Sequence, residues 1–239
     1  MFDIIPKPSK SLNAIASYKI MISGFPISST YSVKSIEVHK EINKISRSTV
    51  SLFAGDVNLQ TFDEAEDSNF KPGNSIIIQL GYDNTNSTVF EGIINKQRIS
   101  LANGYKSDRS KSVLILECVD SAIKLTNSYT SDIFEKKSDS EMISSLISKV
   151  GLSKSVDMTF LKYPFFPKYN SNDWQFILER AKMNGMVIIN SDNEVKVTDP
   201  YQMIPIPSLQ VDHGDATLSF DGQIDSSFQY GSLEYSSWD

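Results

Sequence analysis

The chain has 239 residues, 40% of them hydrophobic and 22% charged, with a formal net charge of -6. This composition fits one large or two small globular domains and excludes a disordered chain. The acid excess, with no basic cluster beyond Lys136-Lys137, argues against nucleic acid as a partner, and no apolar run approaches the roughly 20 residues of a membrane helix.

Residues 1–13 carry two prolines with several Ser and Lys and read as an N-terminal arm. Met1 to Pro6 lacks the charged start and long apolar core of a secretory signal, so the expected site of assembly is the cytoplasm. From residue 14 to 24, the alternation of Tyr18, Ile20 and Ile22 predicts a strand, broken by Pro26 and Ser28-Ser29-Thr30. Residues 35–41 set Ile36 and Val38 against Glu37, His39 and Glu41, a second strand, and residues 48–54 give a third. Residues 55–74 are polar. They contain the acidic run Asp63-Glu64-Ala65-Glu66-Asp67 and close on the turn signal Phe70-Lys71-Pro72-Gly73-Asn74.

Residues 75–82 follow as a strand apolar on both faces. The turn Asp83-Asn84-Thr85-Asn86 leads to a strand at 89–94, and a longer tip at 103–112 separates strands at 97–99 and 113–119. About seven strands with short turns and no helix predict a closed or nearly closed β-barrel over residues 14–127. Cys118 is the lone cysteine, so it has no disulfide partner within the chain, and its place in an apolar strand marks a buried thiol.

At about Ser128 the hydrophobic period changes from 2 to 3.6. Ser138 with Glu141 forms a capping box, Met142, Ile143, Leu146, Ile147 and Val150 share one face, and Gly151 supplies the left-handed stop. A second helix starts from Asn170 or Ser171. It buries Trp174, Ile177, Leu178 and Ala181, and ends at Gly185. Strands at 186–190 and 194–198 join through Ser191-Asp192-Asn193, so residues 128–200 form a small α+β domain. Strand signals return at 208–211, 216–220 and 225–235. The Ser236-Ser237-Trp238-Asp239 finish leads us to expect the truncated start of a second β-barrel over 201–239. The fold class is therefore α+β and mainly β.

No residue set carries a catalytic or metal signature. His39 and His213 are the only histidines. His213 lies in Val211-Asp212-His213-Gly214-Asp215, which offers one His and two Asp beside a Gly, a turn rather than a zinc site. Asp192 and Glu194 imitate a calcium loop without its pattern of oxygen ligands and read as a hairpin tip. Paired carboxylates of a muramidase cannot be singled out among so many Asp and Glu, and no nucleophile elbow, P-loop or dinucleotide fingerprint is present. A carbohydrate- or receptor-binding β-module stays open through Trp174 and Trp238, although Trp174 sits on the apolar stripe of its helix.

The order of parts from 114 to 198 is a strand, a helix ending in Gly151-Leu152, an aromatic-Pro loop, a helix ending in Gly185, then a hairpin. It resembles the hub of contractile injection machines. These are the VgrG spike proteins of type VI secretion, the spikes of extracellular contractile particles, and phage tail hubs of the late control protein D kind. Phe70-Lys71-Pro72-Gly73, Phe90-Glu91-Gly92, Lys168 to Trp174, Asn184-Gly185-Met186 and the final Ser236 to Asp239 carry the likeness. The resemblance implies tube-like β-barrels flanking the α+β domain (a phage baseplate hub-like fold) and no enzymatic activity or cofactor. It also implies a homotrimer in the full-length protein that adapts a hexameric inner tube to a trimeric needle. The implied partners are the inner tube protein, baseplate proteins and an effector or tip protein. Small-molecule substrates are not expected.

Overall fold

The structure is a computed structural model that describes residues 15–54, 66–100, 112–201, 221–224, 232 and 234. Ile15–Ile204 forms a compact unit distinct from that of Met1–Ala14 and Pro205–Asp239, and every element below lies within it. The expected strands at 208–211 and 216–220, His213, Trp238 and most of 225–235 lie outside the described residues.

Seven strands form the first sheet: β1 (Ala16–Ile22), β2 (Phe25–Pro26), β3 (Val33–His39), β4 (Arg47–Phe53), β5 (Ser75–Tyr82), β6 (Thr85–Ser100) and β7 (Val113–Val119). They are antiparallel in the order β2-β1-β5-β6-β7-β4-β3. The period-two alternation sends Ile20, Ile22, Val50, Leu52, Ile76, Ile78, Phe90, Ile94, Leu114 and Leu116 into one interior. Ile36 and Val38 of the end strand β3 pack on the same cluster as Ile20 and Ile22 of β1, so the sheet rolls around its own core. Phe70, fully buried, plugs that interior and meets Tyr31 edge-on at 4.9 Å between ring centroids.

The two strands expected at 89–94 and 97–99 are one 16-residue strand, β6. Register shifts between Ile78 and Gln79 and between Ile94 and Lys96 add local twist, which helps the ladder to curl. Ile77, expected to be as buried as its neighbours, is only half-buried on the other face of β5. Gly92 sits against Val119 at the end of β7. A Cβ there would stand 2.3 Å from the Val119 carbonyl oxygen and 2.9 Å from the Phe90 ring. Replacing Gly92 with Ala is therefore expected to destabilise the chain by about 3 kcal/mol, the upper end for an overpacked core. Urea denaturation reads this directly, and an unchanged midpoint would show that β6 and β7 part freely.

The remainder packs on a second core. β8 (Thr130–Ser138) and β10 (Lys162–Ser171) form a two-stranded ribbon, and α1 (Asp139–Lys149) lies between them in sequence. β9 (Ser153–Val156) pairs in parallel with β12 (Glu194–Thr198), which is antiparallel to β11 (Val187–Ser191), and α2 (Asp173–Met183) precedes β11. Phe134, Met142, Ile143, Ile147, Trp174, Phe176, Ile177, Ile188, Val195 and Val197 make up this core. Both halves of the Ser138–Glu141 capping box form, and Gly151 and Gly185 take left-handed φ of 75° and 67°. The α2 cap is Asn172, whose Oδ1 accepts the Gln175 N–H at 2.8 Å. Asn170 and Ser171 are not available as caps because β10 runs through Ser171, paired with Thr130. No helix among the described residues is long and apolar enough to cross a membrane.

Candidate functional site

The β11–β12 hairpin tip is built into the junction between the two cores. Asp192 and Asn193 adopt left-handed φ of 54° and 63°, the backbone a two-residue hairpin turn requires. Lys40 Nζ donates to Ser191 Oγ at 2.6 Å and to the two Asp192 carboxylate oxygens at 3.1 and 3.0 Å. Asp120, fully buried just after β7, accepts the Asn193 N–H at 2.8 Å and the Ala122 N–H at 2.8 Å. The Asn193 side chain donates to Glu91 Oε1 at 2.8 Å and accepts the Ser121 N–H. Behind the tip, Ser46 donates from its N–H to Asn190 Oδ1 and from its Oγ to the Asn190 carbonyl, and Asn43 exchanges two bonds with the Ile188 backbone. Asp192 thus serves an ion pair with Lys40, and Glu194 is exposed at the start of β12. Among the described residues, no group of three or more His, Cys, Asp or Glu side chains is placed to hold a metal ion.

A cleft of about 830 Å³ opens beside this junction and brings together several residues that stand out in the sequence: His39, Glu41, Arg47, Glu117, Cys118 and Trp174. Its acids face bases. Glu41 is 2.5 Å from Lys44, and the hydrogen bond and charge of Lys44 hold its carboxyl below the usual range. Glu117 lies 4.0 Å from Lys96 and 3.9 Å from Arg98, and His39 lies 3.8 Å from Glu37. Burial pushes the Cys118 thiol up to about 12, so it is protonated and unreactive at neutral pH. Trp174 is 8% exposed and belongs to the core beneath the cleft. It does not offer the open ring face that stacking on a sugar would need, and Trp238 lies outside the described residues.

One constellation escapes sequence reading. Arg180 of α2 donates from Nε to Asp139 Oδ1 at 2.5 Å and from Nη2 to Asp139 Oδ2 at 3.0 Å, a bidentate pair at the first residue of α1. Asn184 and Tyr163 also donate to Asp139, and the guanidinium lies 4.3 Å from the Phe166 ring centre. Burial alone would raise the Asp139 pKa. The hydrogen bonds from Arg180, Asn184 and Tyr163, with the Arg180 charge, outweigh it and hold the carboxyl below its ordinary value. The signal was present but ambiguous, because Arg180 falls three residues after Ile177 and hence on the buried face of α2. A second buried pair, Lys168 with Asp173 at 2.6 Å, ties the end of β10 to the start of α2. These charges neutralise each other and orient helices. They are not arranged as a nucleophile with a base.

Solved structures share this fold, and three of them illustrate it. The 43 kDa tail protein of prophage MuSo2 from Shewanella oneidensis superposes with a TM-score of 0.57 at 12% identity, over 77% of this chain and 53% of that one. An E. coli component of the type VI secretion system, described as structurally similar to the T4 bacteriophage tail proteins gp27 and gp5, gives 0.53 at 10% identity, over 74% and 48%. A tail protein from Neisseria meningitidis MC58 gives 0.51 at 13%, over 76% and 50%. At these identities the likeness establishes the fold, and the chain spans about half the length of these structures. Among curated proteins, no sequence matches the chain. The family model described as Alg8_N, Alg8 N-terminal domain, matches residues 12–239.

Proposed function

The chain belongs to the Alg8 N-terminal domain family, and on that premise we propose that it is the hub portion of the spike of a contractile injection system. The observation that carries this reading is the tail-protein fold, a rolled seven-stranded sheet joined to a small α+β part, shared with a prophage tail protein, a second tail protein and a type VI secretion component. In this role the hub docks on the hexameric inner tube, adapts it to a trimeric needle, and seats the baseplate around it. Its partners are the inner tube protein, baseplate proteins and an effector or tip protein. It is assembled in the cytoplasm and carried out in the particle that punctures a target envelope. Its work is burial of apolar area and pairing of polar groups between subunits, not catalysis. The internally paired charges of the cleft and the protonated Cys118 accord with a role that makes and breaks no covalent bond.

The test is a pull-down of the tagged native full-length product from its source cells, with partners identified by mass spectrometry and the eluate viewed by negative-stain microscopy. Tube, sheath and baseplate proteins, with the tag at the pointed end of a particle, are the expected result. An eluate free of them and holding a lone receptor or glycan would overturn the hub reading in favour of a binding module.

A further inference from the structure

The cleft beside the hairpin junction carries more donors than its own acids use. Among the described residues, two acids line it, Glu41 and Glu117, and three cations, Lys44, Arg47 and Lys96. Glu41 takes Lys44 at 2.5 Å, and Glu117 is shared between Lys96 at 4.0 Å and Arg98 at 3.9 Å. Arg47, exposed at the start of β4, has no ion-pair or hydrogen-bond partner for its guanidinium among the described residues. The cleft therefore holds a positive surplus on a chain whose net charge is -6.

Two neutral donors join it. Asn95 and Lys96 are consecutive residues of β6, and in a regular strand they would face opposite sides of the sheet. Both line the cleft, at the place where the register with β7 shifts between Ile94 and Lys96 and leaves Asn95 with no residue opposite. A bulge re-aims a side chain in this way. Trp174 also lines the cleft, and its indole N–H meets no acceptor among the described residues. Val119 and Ile123 add apolar surface beside these donors. An opening of about 830 Å³ that combines apolar walls with a few unused donors has the make-up of a ligand site.

We propose that this cleft binds a carboxylate set beside an apolar group, and that its ligand is a short acidic and apolar segment of a partner protein. The carboxylate meets the fork of Arg47 and the Asn95 amide, with Lys96 next to them, and an adjoining apolar side chain lies on Val119, Ile123 and Trp174. That the partner is a protein rests on the hub reading. The site itself does not, and its test reads binding by this chain alone, apart from any recovery of tube or baseplate proteins.

The probes are the blocked peptide acetyl-Gly-Leu-Glu-Leu-Gly-amide, its Gln counterpart, and acetyl-Gly-Leu with a free C-terminus. Trp174 is the reporter: in a W238F chain it supplies the single indole cross-peak of a proton–nitrogen correlation spectrum. The Glu peptide is expected to move that peak saturably, with an affinity that falls as salt rises. The Gln peptide should bind about tenfold more weakly or worse, and R47E should lower the affinity for the Glu peptide by about tenfold or more. R47E should leave the peak of the unbound chain in place, which shows that the fold is kept. K71E, at an exposed lysine outside the cleft, should bind like the parent. No movement with any probe would overturn the site, as would equal binding of the Glu and Gln peptides or R47E binding like the parent. Saturable binding of acetyl-Gly-Leu alone would overturn the internal segment in favour of a chain terminus.

Discussion

Replacing Arg180 with Met is expected to destabilise the chain by about 3–5 kcal/mol, the usual cost of leaving one partner of a buried ion pair uncompensated. Asp139 would keep Tyr163 and Asn184 but lose the bidentate guanidinium at its two oxygens. A double variant, Arg180→Met with Asp139→Leu, should recover most of the loss, because it removes the stranded charge as well. Urea denaturation of the four chains of this cycle measures the coupling. Equal midpoints for wild type and R180M would show that the pair contributes nothing net. The same variant tests the acid limb. Because the Asp139 carboxyl is depressed in the fold, its contribution is fully present above the unfolded carboxylate value of about 3.9 and is lost as pH falls through the lower folded value. R180M should therefore show a shallower fall in stability on acidification than the wild type. An identical pH profile would place the acid sensitivity elsewhere.

The second large effect is expected at Ile177. This side chain is fully buried in the core of the α+β part, whereas its neighbour Leu178 is only half-buried. Ile177→Asp puts an unpaired carboxylate in that core and should cost more than about 4 kcal/mol. The two hydrophobic clusters are separate sets of residues, so we propose a boundary near residue 128 between two folding units. On that proposal, I177D brings tryptophan fluorescence toward its solvent-exposed value while circular dichroism retains the strand signal of the first sheet. Joint loss of both signals would show that the polar junction makes Ile15–Ile204 a single cooperative unit.

Where the pattern was periodic, the sequence was legible. Ile20 and Ile22, Val50 and Leu52, and Leu114 and Leu116 alternate because one face of each strand meets the core, and the structure buries these residues. The capping box and the two left-handed glycines at the helix ends were equally plain, because each satisfies a specific backbone need. The β8–β10 ribbon was not legible. Pro164 and Pro167 argue for a loop when β10 is read alone, and a ribbon with free edges tolerates them where an interior strand would not. β8 sends Phe134 inward but holds Lys136 at a φ of 53°, which breaks the alternation. The junction was hidden for a different reason. Asn43, Ser46, Asp120 and Asn193 are ordinary turn residues locally, and only the tertiary path brings residues more than 70 positions apart within hydrogen-bond distance.

That junction has a mechanical consequence. Apart from the longer Lys40 and Glu91, its bonds come from short Asn, Ser and Asp side chains and from main-chain groups with little rotational freedom, and they are anchored at several separate places on the first sheet. Such a joint is stiff and redundant. A thrust delivered to one part passes to the other through many short links sharing the load, and the breaking of any single link leaves the rest engaged.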